Sequence, residues 1–227
     1  MTSPRVLLAA WRMHAKKQLG QHFLENLATS EMIVSRCRVM PEDIVLEIGA
    51  GLGALTIPVA RIAKKVYAVE KDRQIITLLK TELITNNLLN VVIIESDILR
   101  VSIEKFAEEA NRKILVLGNL PYNISSQVLI KLIKARSAVS RAVLMFQKEL
   151  AQRIRALPGC KEYGRLTVML RYCSDIKKLA DVKASLFFPK PKVDSEVLEI
   201  EFKTLTEHSA IDEAFLFRVV KAGFGNR

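Results

Sequence analysis

Six short runs rich in Val, Ile and Leu, at about residues 44–48, 66–70, 91–95, 114–118, 141–146 and 195–202, alternate with longer stretches of helical period. Near-continuous apolar runs belong to strands buried on both faces, and such strands occur in parallel sheets covered by their own crossover helices. Helices are expected over 55–63, 73–86, 103–110, 126–135 and 148–157. Crossovers of this length are right-handed as a rule, so the chain reads as an open α/β sheet. After Phe202 a polar link, residues 204–209, leads to one more amphipathic stretch, Ile211 to Ala222. The expected division is therefore an α/β domain over 1–203, with residues 1–24 as a basic arm, and the start of a helical second domain over 204–227.

Half of the 227 residues are apolar, enough to bury a proper core. Lys and Arg exceed Asp and Glu by 35 − 24 = 11, and the excess is uneven. Residues 131–178 hold 12 basic side chains against Glu149, Glu162 and Asp175, whereas from residue 183 onward the count is 7 against 7. A concentrated positive region of this size points to a polyanion, with nucleic acid ahead of an anionic membrane. Three cysteines without a short paired spacing and three scattered histidines give no metal or disulfide frame. No apolar stretch approaches the length that spans a bilayer, so a cytoplasmic protein is expected. Arg5, Arg12, Lys16 and Lys17 precede the first acid; a basic arm touching RNA and a short organellar presequence both account for them.

The segment Leu46-Glu47-Ile48-Gly49-Ala50-Gly51-Leu52-Gly53 sits where the first strand becomes a helix. Alternate glycines let the backbone turn sharply and approach a ligand closely. Glu70 ends the next strand, about 20 residues on, where a carboxylate grips ribose hydroxyls. The loop alone also admits a nicotinamide dinucleotide, although nothing in the chain supplies a hydride-transfer partner. Asp97 closes the third strand and points at the same crevice; it suits an adenine amino group, or a plain helix N-cap. Glu47 reaches a ligand's charged tail or pins the loop.

Residues Asn119-Leu120-Pro121-Tyr122 follow the buried run Ile114 to Gly118. Pro121 fixes its own φ and pushes Leu120 out of the helical region, turning the Leu120 carbonyl outward beside the Asn119 oxygen. Two acceptors then face one pocket, and Tyr122 offers a π face to a flat ring that bears an NH₂. A tight turn with a buried tyrosine fits the same four residues.

Taken in order, Gln21-His22-Phe23-Leu24, the glycine loop, Glu70, Asp97, Asn119 to Tyr122 and Phe187 to Ser195 (FFPKPKVDS) resemble the ribosomal RNA adenine dimethyltransferases of the small-subunit, KsgA type. The resemblance spans about residues 16–202. It implies a Rossmann-like class I methyltransferase fold with a seven-stranded, mostly parallel sheet whose last strand is antiparallel, S-adenosylmethionine as methyl donor, and a helical C-terminal domain. It further implies dimethylation of adenosine amines in small-subunit ribosomal RNA during subunit assembly, by a monomer that binds ribosomal RNA or an assembly particle. By the same resemblance, His22, Leu24, Gly49, Gly51, Glu70, Asp97 and Asn119 border the cofactor. Asn119, Leu120, Tyr122 and Phe187 then serve the target base, with Phe187 closing over its second face. His22 stands where the family more often has Asn. Two alternatives share the motifs: a large-subunit RNA methyltransferase of the macrolide-resistance type, and a non-catalytic RNA-binding factor that keeps the fold.

Overall fold

The computed structural model describes residues 2–204 and 210–225, so most of the expected polar link lies outside the described residues. The chain opens with helix α1 (Pro4–Ala10), the two-residue strand β1 (Phe23–Leu24) and helix α2 (Leu27–Arg36), whose Asn26 side chain caps the Thr29 amide. Strands β2 (Ile44–Ile48), β3 (Lys65–Glu70) and β4 (Val91–Glu95) follow, with α3 (Thr56–Ala60) and α4 (Arg73–Thr85) between them. Then come α5 (Ile103–Ala110), β5 (Ile114–Asn119), α6 (Ser125–Lys134) and β6 (Val139–Gln147). The remainder is α7 (Lys148–Arg155), α8 (Arg165–Cys173), β7 (Ser174–Val182), β8 (Phe187–Phe188), β9 (Ser195–Phe202) and α9 (Glu213–Gly223).

Seven strands form one sheet in the order β4-β3-β2-β5-β6-β9-β7. The first five are mutually parallel, and β9 runs antiparallel to both β6 and β7. This is the architecture the resemblance implies, and all six strands read from apolar runs are present. The seventh, β7, was not legible as such a run: it is an edge strand, paired among the described residues only with β9, and carries Asp175, Lys177, Lys178 and Asp181.

Alternation along each strand divides the core in two. Leu46, Ile48, Val116, Leu144 and Leu198 face one layer with Phe106 of α5, Leu132 of α6, Ile154 of α7 and Leu170 of α8. Val45, Val66, Leu115, Leu117 and Val143 face the other, with Ile33 and Val34 of α2 and Val59 of α3. A separate ribbon pairs β1 with β8, Phe23 opposite Phe188 and Leu24 opposite Phe187. It stitches the segment before the sheet to the segment before its last strand. Chain direction across the sheet reverses between β2 and β5, and in an open sheet of this kind ligands lie beyond the strand ends at that point.

Candidate active site

The two loops that follow β2 and β5 meet at the switch point. Gly118 pairs with Ile48, and a Cβ at Gly118 would stand 2.7 Å from the Ile48 carbonyl oxygen. Only glycine lets these strands close, and the closure brings Asn119 over the glycine loop. That loop turns through positive φ at Gly49, Gly51 and Gly53. The Gly49 amide returns to the Val69 carbonyl at 2.9 Å, and the Gly51 amide donates to Glu70 Oε2 at 2.9 Å. Gly51 is also packed under the ring of Phe23, 3.3 Å from where its Cβ would be.

A cavity opens above this loop. It is lined by His22, Phe23, Leu24, Glu47, Gly49, Gly51, Glu70, Lys71, Asp97, Asn119, Leu120, Tyr122 and Met145, among others. All the expected cofactor residues are thus brought together. Glu70 Oε1 accepts from the Lys71 and Asp72 amides at 2.8 and 2.9 Å. With Gly51 on Oε2, three of about four acceptor positions of the carboxylate are filled, leaving room for a hydroxyl donor. Asp97 does two things at once: Oδ1 caps the following turn through the Leu99 amide at 3.0 Å, and Oδ2 pairs with Lys71 Nζ at 2.8 Å. The Lys71 hydrogen bond, with the Leu99 amide, holds the carboxyl of Asp97 below its usual range.

Asn119 Nδ2 donates to the His22 carbonyl at 3.0 Å, which directs Oδ1 away from that strand. Neither Asn119 Oδ1 nor the Leu120 carbonyl accepts a hydrogen bond among the described residues. His22 itself is anchored by Nδ1, 2.7 Å from the Pro189 carbonyl, and its ring stacks on Tyr122 with centroids 5.5 Å apart and planes 27° apart. Burial raises the phenol of Tyr122 above its ordinary value, so the ring is neutral near pH 7. Phe187 is not brought to the cavity. Its ring is 1% exposed and packs in the core with Leu24, Leu117, Met145, Val182 and Val197, because the β1–β8 ribbon turns it inward.

Glu47 is the residue whose part the spacing left open. It shares the Val45 face of β2, is 2% exposed, and its Oε2 has no hydrogen-bond partner among the described residues. Burial pushes its carboxyl up to about 8; Thr56 at the head of α3 tempers the rise and the Glu70 charge adds to it. The Thr56 hydroxyl likewise has no partner of hydrogen-bond geometry. Sequence reasoning missed Lys71, which has no motif to announce it, and the Lys16 and Gln21 contacts to Asp72 at 2.8 and 2.9 Å, which fix the approach to His22.

Comparison with known proteins gives this geometry a family. Residues 12–227 match the model of the family described as ribosomal RNA adenine dimethylase. The chain belongs to this family. It is 49% identical to the ribosomal RNA small subunit methyltransferase A of Desulforapulum autotrophicum over 227 residues, all of this chain and 79% of that relative. It is 37% identical to the protein of the same name from Bacillus cytotoxicus over 215 residues, 93% of this chain and 73% of the relative. A solved dimethyladenosine transferase from Plasmodium falciparum is 31% identical with a TM-score of 0.75, covering 90% of this chain and 71% of the other. The 23S rRNA methyltransferase ErmE is 25% identical with a TM-score of 0.71, covering 90% and 81%.

Proposed function

We propose that this protein transfers methyl groups from S-adenosylmethionine to the exocyclic amine of adenosines in small-subunit ribosomal RNA, two to each base, during assembly of the subunit in the cytoplasm. The observation that carries the reading is the pair of unclaimed acceptors, Asn119 Oδ1 and the Leu120 carbonyl, at the edge of a glycine-lined cavity. The residues fit the cofactor: the loop has no Cβ where close approach is needed, Glu70 keeps acceptor capacity for ribose hydroxyls, and Asp97 stands beyond the third strand for an adenine amine. When bound, S-adenosylmethionine supplies a methyl group already activated on a sulfonium.

The chain's own residues supply geometry and charge. Asn119 Oδ1 and the Leu120 carbonyl accept the two N–H protons of the amine, which turns its lone pair out of conjugation and stabilises positive charge as it develops on nitrogen. Preorganised dipoles of this kind are worth on the order of 3 kcal/mol each, and alignment of reacting atoms roughly 7 or more. Tyr122, backed on one side by His22, offers the other face to the unstacked base, and stacking returns about 1–3 kcal/mol. Phe187 holds the wall behind the site through Leu24 rather than touching the base. Helix α9, which has no buried residue and lies on the surface, is read as part of a helical RNA-binding appendage to the α/β domain.

Replacing Asn119 with Ala is expected to lower methyl transfer at least 100-fold, about the cost of one such dipole, with RNA affinity nearly intact. Mass spectrometry of unmethylated small-subunit particles and of bare large-subunit RNA, each incubated with labelled cofactor, reads target and methyl number together. Wild-type turnover by the Asn119→Ala protein would remove that side chain from the mechanism. Methylation of the large-subunit RNA alone would move the reading to the ErmE-like alternative.

A further inference from the structure

The segment that carries α1 folds back over the cavity. Pro4, at the head of α1, is buried and lines the cavity together with Phe23, Gly51 and Leu52. Leu7 and Leu8, one turn on, form a small apolar cluster with Phe23 and Leu52 of the cavity wall and with Ile75 and Leu78 of α4. Two latches hold the outer end. Both side-chain oxygens of Glu82, 3% exposed on α4, accept from Thr2: Oε2 from its amide at 2.9 Å and Oε1 from its hydroxyl at 2.7 Å. Glu25 Oε1 accepts from Ser3 Oγ at 3.1 Å and from Arg5 Nε at 2.8 Å, and the Arg5 guanidinium lies over the Phe188 ring, 4.6 Å from its centroid. Arg5, expected in an arm that touches RNA, is thus engaged within the fold. The inner end is fixed separately, through Lys16 and Gln21 on Asp72. Between these fixed ends residues 13–16 have no regular structure, and Arg12 turns the chain at φ 52°.

We infer that residues 2–13 are a strap on the ligand site: Pro4 forms part of its wall, and the ligand exchanges with solvent when the two latches and the Leu7–Leu8 cluster let go. The inference rests on the reading above that the cavity takes S-adenosylmethionine and passes on two methyl groups in turn. A helix of 7 residues is not stable by itself, so α1 persists only as far as its packing and latches hold it. One latch is an exposed ion pair, with the Arg5 side chain 63% accessible, and such pairs are weak. A segment held in this way opens locally while the sheet stays folded. The acceptors for the target base stand in the loop after β5, whereas the strap covers Leu52 in the loop after β2. Spent cofactor therefore leaves past the strap while RNA occupies the other loop, and a fresh donor enters by the same route before the second transfer.

Trp11 closes the C-terminal end of α1 and is the one tryptophan of the chain, so its fluorescence reports on the strap directly. Saturation with S-adenosylmethionine is expected to lower the quenching of Trp11 by acrylamide. Release of labelled S-adenosylmethionine into an excess of unlabelled cofactor gives the exit rate. Arg5→Ala is expected to speed release about 3- to 10-fold, the worth of an exposed ion pair with a cation–π contact. Leu8→Ala, which removes a buried side chain from the cluster, should speed it about 10- to 100-fold. Single-turnover methyl transfer by preloaded protein should stay close to the parent's in both variants, and the faster release should persist with small-subunit particles bound. Equal quenching of Trp11 with and without ligand, or release at the parental rate in both variants, overturns the strap while leaving the cofactor reading in place. Faster release that vanishes once particles are bound overturns the route past the strap. Absence of S-adenosylmethionine binding to the parent in calorimetry overturns the cofactor reading itself. If Leu8→Ala fails to fold, Trp11 in the parent and Arg5→Ala, altered at an exposed side chain, decide.

Discussion

Phe187 carries a motif, but packing decides what its ring does in the structure. With 1% exposure and a cluster of Leu24, Leu117, Met145, Val182 and Val197 around it, truncation would open a cavity in the core. Phe187→Ala is expected to cost about 3–5 kcal/mol in chemical denaturation. Phe187→Leu, which refills most of the space, should keep turnover close to that of the parent; a Leu variant that folds normally and fails to methylate would restore the base-stacking role that the motif suggested. At this scale the sequence was informative wherever a residue type admits few uses. Alternate glycines, a strand-terminal acid and an Asn before Leu-Pro-Tyr each announced the cavity. The anchors of those residues were not legible, because the His22 carbonyl that takes Asn119 Nδ2 and the Pro189 carbonyl that takes His22 Nδ1 are backbone groups 97 and 167 residues away from their partners.

Elements were legible in proportion to how completely they are buried. Strands β2, β5 and β6 are covered on both faces and read as apolar runs, whereas β7 has an open side and a broken pattern. Helix α3 is shorter than its periodicity suggested, 5 residues with Pro58 inside, since proline cannot donate to the preceding turn. Helices α2 and α8 were passed over, although each buries one face. The start of α4 shows how an element end serves the site. Asp72 caps it through the Gln74 amide at 3.1 Å while its carboxylate takes Lys16 and Gln21, so the helix start also tethers the segment leading to His22. Removing both duties by Asp72→Ala should cost about 1–2 kcal/mol, a lost cap with a partly exposed ion pair. Amide exchange over residues 16–22 should speed up in parallel. Exchange unchanged there would confine Asp72 to capping.

Across the whole molecule, charge behaves differently from its count. Of the 12 basic side chains between residues 131 and 178, Arg136, Arg141, Arg155 and Lys178 are paired with Glu213, Glu199 and Glu196. They fasten the fold, and the surface offered to RNA is less positive than the composition indicates. Titration gives the folded state its own signature. Glu47 sits well above the value near 4.3 of an unfolded chain, at about 8, so between those limits the folded protein holds a proton that the unfolded one has lost. Stability therefore falls as pH rises through that window and levels off beyond it, by an amount on the order of a few kcal/mol. Asp72 is shifted the other way: burial opposes its charge, but hydrogen bonds from Lys16 and Gln21 outweigh it, so its contribution disappears only as pH drops below the usual carboxylate range. Denaturation of the ligand-free protein should show a higher midpoint at pH 5 than at pH 8.5, and Glu47→Gln should flatten that difference. A parent protein equally stable at both values would contradict a neutral Glu47.

The pairing of Phe23 with Phe188 has a temporal meaning as well. Translation delivers the glycine turn early, yet the ring of Phe23, which roofs Gly51, is secured only by Phe188, 165 residues after Phe23 in the chain. A nascent copy thus owns a finished loop and an unfinished roof, and competence to retain a small molecule arrives late, when the tunnel has released nearly the whole sheet.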